Sequence, residues 1–266
     1  MRRPGLLALG LISTVAVLAG LFGALPTPDL AAEPPLRVLA TLPDLWSITR
    51  SIVGDLGRVD VATRPGQNPH DLEIRPSQIL LVKRAEILVR NGLEEDAWID
   101  PVVESSGNPR LLRGSTSVIE AAQGLALLKI PSGRVDRSLG DVHPSGNPHF
   151  TLDPGTMPTI SASIADGLAR LRPDLASRLE ANRREFLARV ESRFQRWREV
   201  LAPYRGARVV VLESWYPPDT ATAVARLAGA KLVVIPQSPG AVPGTGDYIA
   251  HMDHVVTALA KALADP

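Results

Sequence analysis

The sequence predicts an α/β protein built as two parallel-sheet lobes bridged by one long α-helix. Three observations point there. Short aliphatic strands alternate with helical segments up to about residue 104, a helical run then reaches Ala202, and strand–helix–strand–helix resumes at Ala207. Strands that alternate with helices pair in parallel and are covered on both faces. The expected organisation is a signal peptide at 1–32, an N-terminal lobe at 36–150, a linking helix at 155–202 and a reduced C-terminal lobe at 203–266.

In order, Arg37 to Thr41 reads as a buried strand, and Asp44 as the cap of a helix running to about Val53. Val59 to Thr63 and Ile87 to Val89 read as further strands, Pro76-Ser77 opens a helix through Arg84, and another helix spans about Asp96 to Glu104. The stretch from Gly133 to Pro148, rich in Gly, Pro, Ser and Asp, reads as a loop that carries His143 and delivers His149. Asp153 is a plausible cap and Pro154 or Pro158 a first-turn residue for the long helix. Within it Leu175, Leu179, Phe186, Val190, Phe194, Trp197 and Leu201 recur at helical spacing. From Asp174 to Ala202 such a helix spans roughly 43 Å at about 1.5 Å per residue, enough to join two lobes. Ala207 to Leu212 and Lys231 to Ile235 are strands separated by a helix near Thr220 to Leu227, and Asp247 opens a closing helix through Leu263. Two strands make a thin second lobe.

The N-terminus carries Arg2 and Arg3, an apolar run from Leu6 to Leu25 and the small pair Ala31-Ala32, the pattern of a secretory signal peptide. The expected location is therefore the periplasm, with the segment either cleaved or kept as an N-terminal anchor. Twenty-nine basic and 28 acidic residues leave a net charge of +1, which gives no reason to expect a nucleic-acid partner. The Arg-rich stretch at 183–198 is interleaved with Glu185 and Glu191 and reads as a solvated helix face. With no cysteine, any metal site must use His, Asp or Glu.

The sharpest local signal is the repeated tripeptide Asn-Pro-His, at Asn68 to His70 and Asn147 to His149. Proline restricts the chain entering each histidine, so each imidazole is presented from a shaped loop. The first lies just after a strand, where parallel sheets bind ligands. With Glu213 and Asp247, each at a loop edge, the two histidines make a four-ligand set that suits zinc or manganese. The competing readings are plain ones. His143 reads as a loop residue bonding nearby backbone, or else one backing a metal ligand; Asp247 reads as a helix cap; and His251 and His254, on one helical face four and seven residues past Asp247, have a spacing that could bind metal but read as an exposed helix face.

Two stretches, Gln67 to Ser77 and Gly140 to Pro154, resemble the two histidine motifs of the zinc and manganese solute-binding proteins of ABC importers. Pro243-Gly244-Thr245-Gly246-Asp247 is similar to that family's aspartate motif. The resemblance implies two α/β lobes joined by a long helix, with the metal held in the interlobe cleft. It implies His70 and His149 as ligands from the N-terminal side and Asp247 as one from the C-terminal lobe. The third ligand is open. Counting from Gly206 puts Glu213 at the ligand position, whereas counting back from Ala223 makes it a later acid that does not bind metal, because some tens of residues are absent from this lobe. The implied function is capture of Zn²⁺ or Mn²⁺ by a monomer and delivery to a membrane permease, with no chemical step. The alternatives are an envelope interaction or adhesion protein on the same fold with a degraded site, or a zinc hydrolase using three ligands and water, with Glu73 as the nearest base in sequence.

Overall fold

The strands β1 (Leu36–Ala40), β2 (Gly57–Val61), β3 (Ile87–Arg90) and β4 (Val118–Glu120) form a parallel sheet in the order β2-β1-β3-β4. They are seen in a computed structural model that describes residues 34–70, 72–128, 130–133 and 143–265; the signal peptide expected at 1–32 lies outside the described residues. Alternate residues of the central strands face opposite ways. Val38, Ala40, Ile87 and Val89 enter one buried cluster with α1 (Pro43–Val53), while Leu39 and Leu88 enter another with α2 (Pro76–Arg84) and α3 (Ile99–Ser106). Both faces are covered, as continuous aliphatic strands require. β4 is a strand of three residues that the sequence reading does not contain, and Asp44 sits in the first turn of α1 rather than at its cap, which is Leu42.

The linking segment is not one helix. α4 (Met157–Leu171) and α5 (Ala176–Leu201) are separated by Arg172 and a 3-10 turn at Pro173–Leu175, because Pro173 cannot continue the hydrogen-bond ladder and biases Arg172 away from the helical region. The two helices pack on each other, and α5, 26 residues or about 39 Å long, is the strut. Its predicted stripe faces inward: Leu179, Phe186, Val190 and Trp197 are buried, with Leu175, Phe194 and Leu201 packed beside them.

Beyond α5, β5 (Val209–Glu213) and β6 (Lys231–Ile235) pair in parallel as a two-stranded sheet, with α6 (Pro218–Ala228) between them and α7 (Tyr248–Ala264) closing the chain. α7 faces two ways. Val255, with Ala258 and Leu259, packs on Val233 and Ile235 of this small sheet, while Tyr248, Met252 and Val256 join the large N-terminal core. Tyr248 is fixed at both ends, its N–H donating to Ser47 Oγ at 2.8 Å and its hydroxyl to the carbonyl of Thr151 at 2.9 Å. Residues 35–266 accordingly form one compact unit. Among the described residues no helix is long and apolar enough to cross a membrane.

His251 is buried on α7, 2 % exposed, not on an open helix face as the sequence spacing suggests. Neither ring nitrogen has a hydrogen-bond partner, and burial, with His254 adding to it, pulls the imidazole down to about 4. Between about pH 6.5 and 4 the unfolded chain therefore binds a proton that the folded chain refuses, so stability falls as pH falls through that window. The expected loss is about 3 kcal/mol by pH 4. Urea midpoints at pH 7 and 4.5 for the wild type and His251→Leu check it: the substituted protein should lose distinctly less on acidification, and equal losses would show that His251 is not the group responsible.

Candidate metal centre

The two Asn-Pro-His segments fold the same way for the same local reason. In each, the asparagine side chain accepts the histidine amide two residues on, Asn68 Oδ1 from His70 N at 3.0 Å and Asn147 Oδ1 from His149 N at 2.9 Å. Asn and Pro thus close a tight turn, and the imidazole leaves it in a set direction. The first turn follows β2, with Gln67 Oε1 accepting from Arg64 N at 2.9 Å at its base. The second is tied to the loop after β3, where Asn91 Nδ2 donates to the carbonyl of Pro148 at 3.1 Å.

That loop supplies the residue the sequence reading missed. Glu95 is 2 % exposed in its side chain, and its carboxylate stands among three imidazoles: Oε2 lies 3.6 Å from His70 Nε2 and 3.4 Å from His143 Nε2, and Oε1 lies 4.0 Å from His149 Nδ1. A buried carboxylate needs compensating charge or donors. Its position is enforced by its neighbour. Asp96, fully buried, accepts from the amides of Asn91 and Gly92 (2.5 and 3.3 Å) and from Thr41 Oγ1 (2.7 Å), and pairs with the buried Arg90 guanidinium at 3.4 Å. Arg90 also pairs with Asp100 at 2.8 Å. Stapled this way, Gly92, Leu93 and Glu94 hold φ of 83°, 54° and 64°, three consecutive left-handed residues that turn Glu95 inward.

A tetrahedral ion with bonds of about 2.0–2.1 Å keeps its donors roughly 3.3–3.4 Å apart. The separations from Glu95 to His143 and His70, 3.4 and 3.6 Å, are close to that, and the one to His149, 4.0 Å, is longer. Ligand atoms of His70, Glu95 and His149 all lie within 4.8 Å of one another, a grouping that can hold a metal ion. The C-terminal sheet covers the opening. Glu213 at the end of β5, Tyr216 and Gln237 after β6 line a cavity of about 400 Å³ with His70 and His149, and Gln237 Nε2 is 3.5 Å from His149 Nδ1. The 236–246 loop is held against the His70 turn by a hydrogen bond from Gly66 N to Ser238 Oγ at 3.3 Å. At Gly240 (φ 81°) a Cβ would lie 3.0 Å from Pro65.

The family described as "Zinc-uptake complex component A periplasmic", ZnuA, matches residues 38–211, which takes in all of the four-stranded sheet but the first two residues of β1, both Asn-Pro-His turns and the whole of α5. The chain belongs to the ZnuA family. It is 26 % identical over 232 residues to a protein of Paracoccus denitrificans named high-affinity zinc uptake system protein ZnuA, covering 75 % of this chain and 67 % of that one. A Treponema pallidum protein described as a putative metal-binding protein is 26 % identical over 200 residues, covering 71 % and 62 %. The chain thus spans about two thirds of the length of these relatives. The zinc-bound crystal structure of a ZnuA deletion mutant superposes with a TM-score of 0.69 at 21 % identity, over 88 % of this chain and 100 % of that one, and so shares the ZnuA fold.

The ZnuA match ends at Val211, so Glu213 and Asp247 both lie beyond it. The structure treats them differently. Glu213 reaches the cavity that holds the histidines. Asp247 is not brought to the imidazoles: its Oδ1 accepts from Ala250 N at 2.9 Å as the cap of α7, and it lines a separate cavity with Trp46, Ser47, Arg50 and Asn182. His143, read from the sequence as a loop residue bonding backbone, stands beside Glu95, and Glu73 is exposed. The strand order explains the place of Glu95: in β2-β1-β3-β4 the order of strand addition switches sides between β1 and β3, and ligands of open α/β sheets bind beyond the carboxyl ends at that point, where Glu95 lies.

Proposed function

We propose that the protein captures a divalent transition metal, Zn²⁺ or Mn²⁺, in the periplasm and delivers it to the permease of an ABC importer, as a monomer and without a chemical step. The observation that supports this reading is that ligand atoms of His70, His149 and Glu95 all lie within 4.8 Å of one another, at the carboxyl edge of a ZnuA-family sheet. Two neutral imidazoles and a carboxylate are a donor set that borderline divalent metals accept. Glu213 and Gln237 line the facing wall, and Glu213 adds negative charge at the cavity. The names of the relatives, zinc uptake and metal binding, support the assignment.

Two features bear on release. α5 and the Tyr248 hydrogen bonds brace the C-terminal sheet against α1, so delivery proceeds by small loop shifts rather than by wide hinge opening. Imidazoles ligate only when neutral, so protons compete with the ion.

Stripped protein titrated with Zn²⁺ and Mn²⁺ should bind one ion per chain, with the affinity lost in His70→Ala and His149→Ala. Affinity should fall steadily between about pH 7.5 and 5.5, across the ordinary imidazole range. A pH-independent affinity, or binding that survives both substitutions, would remove the site from this cluster.

A further inference from the structure

We propose that His143 is a direct metal ligand, which makes the site three imidazoles and one carboxylate, all from the N-terminal sheet and its loops. The proposal rests on the reading that the cluster captures metal, and it deepens that reading by naming the fourth donor and with it the metal.

Four observations carry it. The His143 Nε2 to Glu95 Oε2 separation, 3.4 Å, is the shortest of the three imidazole–carboxylate distances and matches the edge of a tetrahedral shell. Two imidazoles that ligate one tetrahedral ion through Nε2 place their ring centroids about 5.2 Å apart; those of His70 and His143 are 5.2 Å apart, so His143 joins from beside the group of His70, Glu95 and His149, whose ligand atoms lie within 4.8 Å of one another, and closes on it when the ion binds. The His143 side chain is only 10 % exposed, and its Nε2 is buried with no hydrogen-bond partner, a cost of about 1–3 kcal/mol for a group that only fills space. Finally, the turn that presents it is anchored beside Glu95. The amide of Gly146 donates to the His143 carbonyl at 3.3 Å, Asn147 N donates to Leu128 O at 2.9 Å, and Ser145 Oγ donates to Glu94 Oε1 at 2.7 Å. Glu94 thereby links the His143 turn to the loop that carries Glu95.

The consequence is a choice of metal. Three nitrogens and one oxygen in a tetrahedral arrangement suit Zn²⁺, whereas Mn²⁺ prefers oxygen donors. The ion is complete on one sheet, and the C-terminal sheet acts as its cover.

The test is proton NMR of the Co²⁺-loaded full chain. Each imidazole bound to Co²⁺ contributes one exchangeable ring N–H signal shifted far downfield by the unpaired electrons. Wild-type protein should show three such signals, His143→Ala should show two, and the same substitution should weaken Zn²⁺ binding by at least about 100-fold. Two signals in the wild type overturn the proposal whether or not His143→Ala folds, and so does an unchanged count in a folded His143→Ala, even if its affinity falls. The underlying reading fails differently: wild-type protein that takes up no Co²⁺, or His70→Ala that keeps every shifted signal, would remove metal capture from this cluster altogether.

Discussion

Glu95→Gln should lower Zn²⁺ affinity by at least about 100-fold while leaving the fold intact. Outer-shell partners of metal ligands already cost about 10–100-fold when removed, and Glu95 stands closer than that, with its two oxygens between 3.4 and 4.0 Å from three imidazoles. The amide keeps the volume and loses the charge. It also turns an NH₂ group toward ring nitrogens that must present lone pairs to the ion. Competition against a chelator of known affinity reads the effect, with far-UV circular dichroism as the control for folding. A loss under about threefold in a folded variant would mean that the carboxylate neither binds the ion nor orients the rings.

The largest effect on stability should come from Asp96→Ala, about 3–5 kcal/mol. Asp96 is 0 % exposed and Arg90 1 %. Removing the carboxylate takes one counter-charge from a buried guanidinium and leaves the Asn91 and Gly92 amides and the Thr41 hydroxyl without their acceptor. The remaining Arg90–Asp100 pair at 2.8 Å offsets part of the loss, which places the expectation toward the lower end of the range. Urea unfolding with an unchanged slope and a lowered midpoint is the predicted outcome. A loss below about 1 kcal/mol would show that the loop after β3 is held by something else. Metal affinity should fall in the same variant, because Glu95 is aimed by the loop that Asp96 staples.

What was legible in the sequence follows from how local each cause is. Both histidine turns could be read because Asn, Pro and His act within three residues: the proline restricts the entry and the asparagine closes the turn on the histidine amide. The strand–helix alternation and the buried stripe of α5 were legible for the same reason, since periodicity is a short-range signal. Glu95 was not. It sits in the run Glu94-Glu95-Asp96, three acids of which one contacts Ser145, one faces the imidazoles and one is a buried staple, and only the left-handed backbone before it decides which is which. The break at Pro173 falls just before the apolar repeat that begins at Leu175, and the single-helix reading passes over it. Asp247 had two local readings, cap and ligand. Its place at the start of α7 satisfies the first, and its distance from the turns that carry the histidines is a property of the tertiary structure.

The loop that aims Glu95 also carries an internal conflict. Leu93 and Glu94 occupy the left-handed region, where a residue with a Cβ gives up roughly 1–2 kcal/mol. Glycine at either position would relieve that tension. It would also widen the conformations open to the segment and let the carboxylate wander before an ion arrives. The folded chain thus carries in advance a distortion that the incoming metal would otherwise have to impose. Stability and readiness to trap the ion thus pull in opposite directions at these two residues, and glycine there would yield a sturdier chain with a slacker grip.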